Sequence, residues 1–264
     1  MKIAFIGGGN MGAAMVAGIL KNGVVPARNI CMSDVDIKKL EGFSKKGVVV
    51  TSDNQEAVDF ADYIFLAVKP QIYDEVIKVF ERTDEKVIVT MAPGVSIDHV
   101  SKMLGGVKVV RIMPNTPALV GEGVTAMCCG ADISGSQLRF VTELLSSFGR
   151  VYQLDESQMD DVVALSGSSP AYAYMFVEAV AQHSAMCGID YDVAVSIMAQ
   201  VMLGSAKMIL ETKKNPRTLR EDVCSEGGTT IEAVKKLEEL KFADIIGQAM
   251  DACTKRAKEL AKKD

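Results

Sequence analysis

The chain has 264 residues, enough for one large or two ordinary domains, and its 48% hydrophobic content can fill a sizeable core. Its 29 Lys and Arg against 34 Asp and Glu give a formal charge of −5, so no basic field exists to hold nucleic acid or an anionic lipid surface. Its 6 cysteines show no CxxC or Cys/His ligand spacing and its 2 histidines, His99 and His183, lie far apart, so no metal site is expected and the thiols read as reduced core residues of a cytoplasmic protein.

The chain opens in a predicted strand, Lys2 to Ile6, with no signal-peptide pattern before it. Gly7, Gly8, Gly9, Asn10, Met11 and Gly12 follow, and Met11 to Leu20 reads as an amphipathic helix. Strand, GxGxxG and helix in that order form a dinucleotide-binding turn. Gly7 permits the turn, Gly9 lets backbone approach a pyrophosphate, Gly12 lets helix and strand pack closely, and the helix N-terminus supplies free N–H donors.

The second strand, Ile30 to Ser33, ends at Asp34, 22 positions after Gly12. An acidic side chain there can accept both hydroxyls of an adenosine ribose and would repel the 2′-phosphate of NADPH. The same residue could instead cap a helix beginning at Val35. Ser33, Thr51 and Asn54, at or near the ends of the second and third strands (the third Val48 to Thr51), could hold a phosphate through hydroxyl and amide donors.

The fourth strand, Tyr63 to Val68, runs out through Ala67, Val68, Lys69 and Pro70; the fifth, Lys86 to Met91, through Ala92, Pro93 and Gly94. Both exits fall on the carboxyl edge of the sheet beside the glycine loop, where open parallel sheets bind ligands, and the prolines stiffen them. Lys69 could face a cofactor or solvent. A sixth strand, Lys108 to Met113, puts Asn115 and Thr116 on the same edge. Val124 to Cys129 and Arg150 to Leu154, flanking a helix over Gln137 to Phe148, extend the sheet. The expectation is a Rossmann-type doubly wound, mostly parallel sheet over residues 1–157 and an all-helical domain over 158–264, with the boundary near Gln158.

Within the second part, Pro170 to Cys187 and Tyr191 to Leu210 are apolar almost all round. A domain this small cannot cover every face of several such helices, so a homodimer or larger assembly is expected. Asp192, Gln200 and Lys207 interrupt the longest apolar stretch, which argues against a membrane span. The segments Ser166 to Pro170 and Ser225 to Thr230 each open a helix with hydroxyls and free backbone N–H groups, as a helix cap or as a seat for a small carboxylate; the second helix is expected to start near Ile231, with Thr230 as its cap or a substrate contact. The tail from Lys255 to Asp264 reads as a solvated helix end.

Oxidising an alcohol by hydride transfer requires a general base; the related β-hydroxyacid dehydrogenases carry a Lys a few residues beyond a Gly-rich entry to the corresponding helix, whereas Pro170 to Phe176 here reads PAYAYMF with no Lys, and neither histidine lies near a motif. A cyclic imine can arrive already protonated, so its reduction needs orientation and a hydrogen-bonding group near nitrogen.

GGGNMG at Gly7 to Gly12, AVKPQ at Ala67 to Gln71, MPNTP at Met113 to Pro117, LSGSSPAY at Leu165 to Tyr172 and VCSEGGTTIEAVKKLE at Val223 to Glu238 resemble the pyrroline-5-carboxylate reductase family along essentially the whole chain. The resemblance implies hydride transfer from NADPH or NADH to 1-pyrroline-5-carboxylate, giving L-proline, in dimers whose helical domains interlock and often assemble further. It implies cofactor contacts from Gly7 to Gly12, Asp34, Asn54, Ala67 to Lys69 and Ala92 to Gly94. Ser225, Gly227, Gly228, Thr229 and Thr230 would hold the substrate carboxylate, with Thr230 also near the ring nitrogen. Ser169 stands where the family commonly has Gly, and at Asp34 an uncharged residue would suit NADPH better. The competing readings are a β-hydroxyacid dehydrogenase, disfavoured by the missing base, and a non-catalytic NAD(P)-binding sensor, disfavoured by the anion-binding loops.

Overall fold

The computed structural model describes residues 1–261; the end of the expected tail, 262–264, lies outside the described residues. The strands are β1 (Ile3–Ile6), β2 (Ile30–Ser33), β3 (Val49–Thr51), β4 (Tyr63–Leu66), β5 (Val87–Thr90), β6 (Lys108–Met113), β7 (Gly123–Cys129) and β8 (Gly149–Gln153). They form one sheet of order β3-β2-β1-β4-β5-β6-β7-β8, antiparallel only at the β6–β7 pair. The runs IAFI, YIFL and VIVT in β1, β4 and β5 are wholly buried, as central parallel strands with helices on both faces must be.

Side-chain alternation divides these strands between two cores. Phe5, Phe65 and Val89 face α1 (Asn10–Lys21) and α6 (Gly135–Ser146) with Met15, Ile19, Val141 and Leu145, and the Phe5 and Phe65 rings stack at 4.6 Å. Ile6, Ile64, Leu66 and Ile88 face the opposite layer of α3 (Asn54–Phe60), α4 (Tyr73–Ile77) and α5 (Ile97–Met103), through Val58, Ile77 and Val100. The short α2 (Glu41–Ser44) lies between β2 and β3. Each of these fully buried Phe or Ile side chains contributes about 2 kcal/mol of burial free energy.

The chain forms two compact units, one comprising Met1–Ser168 together with the described residues from Cys253 on, the other Ser169–Ala252. This division lies beyond the expected boundary near Gln158. The cause is packing: α7 (Met159–Val162) and the π-turn Val163–Gly167 belong to the sheet, because Met159 and Val162 are buried against Met113, Ala126 and Cys128 of β6 and β7. Arg111, buried in β6, fastens the same segment through Asp160 at 2.6 Å and Glu156 at 3.6 Å. Within this unit Lys258 also pairs with Asp161, and Ser168 Oγ lies 3.2 Å from Cys253 Sγ.

The second unit holds α8 (Ser169–Met186), α9 (Tyr191–Thr212), α10 (Pro216–Asp222), α11 (Thr229–Glu239) and the first part of α12 (Phe242–Ala261). Helices α8 and α9 pack on each other, yet Ala181 and Ala194 are their buried residues, while Tyr174, Met175, Ile197, Val201 and Met208 stand at least half exposed. Contrary to the sequence expectation, α9 is long and apolar enough by length and composition to cross a membrane, since Asp192 sits in its first turn and leaves an apolar window behind it. The cysteines are free, but only Cys31 and Cys128 are buried, so the expectation of six core thiols fails: Cys187 is exposed and Cys129, Cys224 and Cys253 are partly exposed.

Candidate active site

At the carboxyl edge of the first unit the glycine loop has the form a pyrophosphate requires. Gly7 sits at φ 105°, a left-handed conformation suited to glycine, and a Cβ there would stand 2.7 Å from the Ala67 carbonyl oxygen. A Cβ on Gly12 would meet the Gly7 carbonyl oxygen at 2.5 Å, so this residue lets α1 lie against β1. Gly9 is different: it is the N-cap of α1, has no side-chain capping bond, and faces open space, with nothing within 4 Å of where a Cβ would stand. That open cradle at an uncapped helix N-terminus fits a dinucleotide phosphate.

Asp34, at the end of β2, is tied to this loop. Its Oδ2 accepts from the Gly8 amide at 2.8 Å, its Oδ1 from the Asp36 amide at 2.9 Å, and Lys39 Nζ lies 3.3 Å from Oδ1. Burial pushes its pKa up, but the two amides and the Lys39 ammonium outweigh that and hold it below the usual carboxylate range. The cap of the following helical turn, Ile37–Leu40, is Asp36 and not Asp34. Ser33 is fully buried and donates its hydroxyl to Asn54 Oδ1, while Thr51 Oγ1 donates to Glu56.

The exits of β4, β5 and β6 converge on an open cleft of about 340 Å³ lined by Met11, Ala67, Val68, Met91, Pro93 and Met113, completed by Pro114, Val163, Gly167 and Ser168. Of the expected residues, Met11, Ala67, Val68 and Pro93 line it. Ala92 is buried beside it, Gly94 turns its exit at φ 80°, and Lys69 and Pro70 open the turn Pro70–Ile72, with Lys69 exposed. Asn115 does not line the cleft: its Nδ2 donates to the Ser166 carbonyl oxygen at 3.1 Å and its Oδ1 accepts from the Val124 amide at 2.9 Å. Val163 of the π-turn was not expected here, while Gly167 and Ser168 belong to the Ser166 to Pro170 segment, which was expected as a carboxylate seat of the helical part. A π-turn carries no distinct periodicity that would assign it to the sheet.

In the second unit, Ser225 to Gly228 forms a tight turn before α11. Gly228 donates to the Ser225 carbonyl oxygen at 3.0 Å, Gly227 sits at φ 70°, and a Cβ on Gly228 would stand 2.4 Å from Ser225 Oγ. The helix begins at Thr229 with Gly228 as its cap, so Thr230 lies in the first turn and is not the cap of a helix starting at Ile231. Thr229 and Thr230 are exposed, and the turn's backbone N–H groups have no side-chain cap, an arrangement suited to a carboxylate. At the other predicted anion seat, α8 starts at Ser169, one residue ahead of Pro170.

Residues 156–260 match the family model for pyrroline-5-carboxylate reductase dimerisation, and residues 2–94 match that for NADP oxidoreductase coenzyme F420-dependent. The chain is 40% identical over 266 residues to pyrroline-5-carboxylate reductase of Haemophilus influenzae, covering 98% of this chain and 97% of that protein. Its fold matches the structure of a pyrroline-5-carboxylate reductase from Coxiella burnetii with a TM-score of 0.90 at 35% identity, covering 99% of both chains. It also matches the Plasmodium falciparum pyrroline carboxylate reductase with NADP bound, with a TM-score of 0.91 at 26% identity, covering 99% of this chain and 98% of that one.

Proposed function

The chain belongs to the pyrroline-5-carboxylate reductase family, and from that premise we propose how its own residues reduce 1-pyrroline-5-carboxylate to L-proline with NADPH or NADH. The observation that carries the reading is the chemistry of the cleft: its lining is apolar apart from the Ser168 hydroxyl, with no titratable side chain among its lining residues. An alcohol substrate would need a base there, whereas a protonated cyclic imine needs a dry, oriented site.

A reduced nicotinamide dinucleotide, when bound, would supply the hydride for the imine carbon. Gly7 to Gly12 and the N-terminus of α1 would hold the pyrophosphate, Asp34 the adenosine ribose, and the Ala67–Pro70 and Ala92–Gly94 exits would shape the nicotinamide side of the cleft and exclude water. Asn115 and the Ser33–Asn54 pair position these loops. Ser225, Gly227, Gly228 and Thr229 hold the substrate carboxylate through backbone N–H and hydroxyl groups, and Thr230 hydrogen-bonds the ring nitrogen as it becomes an amine.

We further propose a cytoplasmic homodimer or a larger assembly of such dimers, in which partner chains cover the exposed apolar side chains of α8 and α9. Both helices lie inside the segment matched by the dimerisation model, which favours subunit contact over a membrane as the cover for α9.

The test is turnover. The enzyme should consume reduced cofactor when 1-pyrroline-5-carboxylate is added and release L-proline, and Thr230→Val should lower kcat/KM roughly 10- to 100-fold through loss of a directed hydrogen bond, with an unchanged melting temperature. A lower melting temperature with intact kcat/KM would remove Thr230 from the active site, and no L-proline from the folded wild type would overturn the activity itself.

A further inference from the structure

The carboxyl ends of β2 and β3 hold a set of charges that bears on which cofactor this chain takes. Asp34 cannot turn away from the ribose position, because one carboxylate oxygen is held by the Gly8 amide at 2.8 Å and the other by the Asp36 amide at 2.9 Å. The same two bonds stabilise its charged form. The two hydroxyl donors that could have received a phosphate are turned elsewhere, leaving only the neutral Asn54 amide: Ser33 donates to Asn54 Oδ1, and Thr51 donates to the Glu56 carboxylate, which adds a second negative group at this edge. No arginine occurs between Ile30 and Phe60. The nearest cation, Lys39, is half exposed and already lies 3.3 Å from Asp34 Oδ1.

A ribose with a free 2′-hydroxyl offers Asp34 a donor. A 2′-phosphate replaces that donor with a dianion facing a fixed carboxylate, and Lys39 can neutralise only one of them. We infer that Asp34, backed by Glu56, makes this chain select NADH over NADPH, in contrast to the Plasmodium falciparum relative with NADP bound. The inference rests on the reading of this sheet edge as a dinucleotide site.

The experiment measures Kd for NADH and for NADPH on the full-length protein by the fluorescence of the reduced nicotinamide, at low and high salt, alongside kcat/KM with each cofactor. Loss of one hydrogen bond to a charged acceptor sets the scale, so NADH should bind about tenfold or more tightly. The gap should narrow as salt screens the repulsion. Asp34→Ser should bring the Kd ratio toward or past unity, and Glu56→Gln should move it the same way by less. Asp34→Asn removes the charge and keeps one carbonyl oxygen to accept from either the Gly8 or the Asp36 amide, so it serves if Asp34→Ser does not fold. Equal or tighter NADPH binding by wild type, or a ratio unmoved by both Asp34 variants, overturns the inference. Tight NADH binding without turnover of 1-pyrroline-5-carboxylate would sink the reductase reading and leave this one standing, while equally efficient turnover with NADPH would do the reverse.

Discussion

Asn115 joins Ser166 across the edge of the cleft: its Nδ2 donates to the Ser166 carbonyl oxygen at 3.1 Å while its Oδ1 accepts from the Val124 amide at 2.9 Å. The exit of β6 is thereby fastened both to β7 and to the π-turn that supplies Val163, Gly167 and Ser168 to the lining. Asn115→Leu would leave a carbonyl and an amide without partners in a buried setting, at a cost of about 1 to 3 kcal/mol for each unsatisfied group. Urea unfolding should show the lower midpoint, and KM for the cofactor should rise. An unchanged midpoint would mean that the fastening contributes nothing.

The glycines of the loop should separate folding from binding. Gly12→Val drives a side chain into the Gly7 carbonyl oxygen, so thermal stability should fall by about 1 to 3 kcal/mol from overpacking. Nothing lies within 4 Å of where a Cβ on Gly9 would stand, so Gly9→Ala should keep its melting temperature near wild type while cofactor affinity drops, because the added methyl enters the space a pyrophosphate takes, and undiminished affinity in Gly9→Ala would place the phosphates elsewhere. Calorimetry on both variants reads both effects.

Asp34 also predicts an acid response. Its pKa in the folded chain is lowered, so its stabilising bonds are fully present above the unfolded value of about 4 and are lost as pH falls through the lower folded value. Asp34→Asn should therefore be less stable than wild type at neutral pH, with the two melting curves converging toward acid. A difference that persists unchanged at low pH would mean that the charge of Asp34 is not what stabilises the loop.

Much of this was legible in the chain because the signals were local. The run IAFI followed by Gly7, Gly9 and Gly12 can make only a buried strand, a tight turn and a close-packed helix, and the six parallel strands were readable from continuous apolar runs bounded by turn residues. What was not legible depends on contacts distant in sequence. The placement of Met159 and Val162 with the sheet follows from their burial against Met113 and Cys128, and the inward role of Asn115 follows from Ser166, 51 positions on. Local pattern likewise put the cap before Ile231 at Thr230, where the turn at Gly227 and Gly228 starts the helix earlier.

The uncovered side chains of α8 and α9 predict assembly. Light scattering should give a dimer or larger species at micromolar concentration, and the thermal midpoint should rise with protein concentration, because association stabilises the folded chain by mass action. Ile197→Asp with Val201→Asp, on exposed positions of α9, should shift the species toward smaller size. A wild-type monomer whose midpoint ignores concentration would contradict the proposed interface.

The residues that line the cleft include no base for oxidising an alcohol, whereas a protonated imine needs none. The direct measurement sets kcat/KM for reduction of 1-pyrroline-5-carboxylate, with NADH and with NADPH, beside kcat/KM for oxidation of a panel of β-hydroxyacids by NAD+ and NADP+ on the same preparation. The imine should be turned over to L-proline, and oxidation of the β-hydroxyacids should be slower by about 100- to 10,000-fold or more, the contribution of a general base. Efficient oxidation of a β-hydroxyacid with no reduction of the imine would contradict this reading.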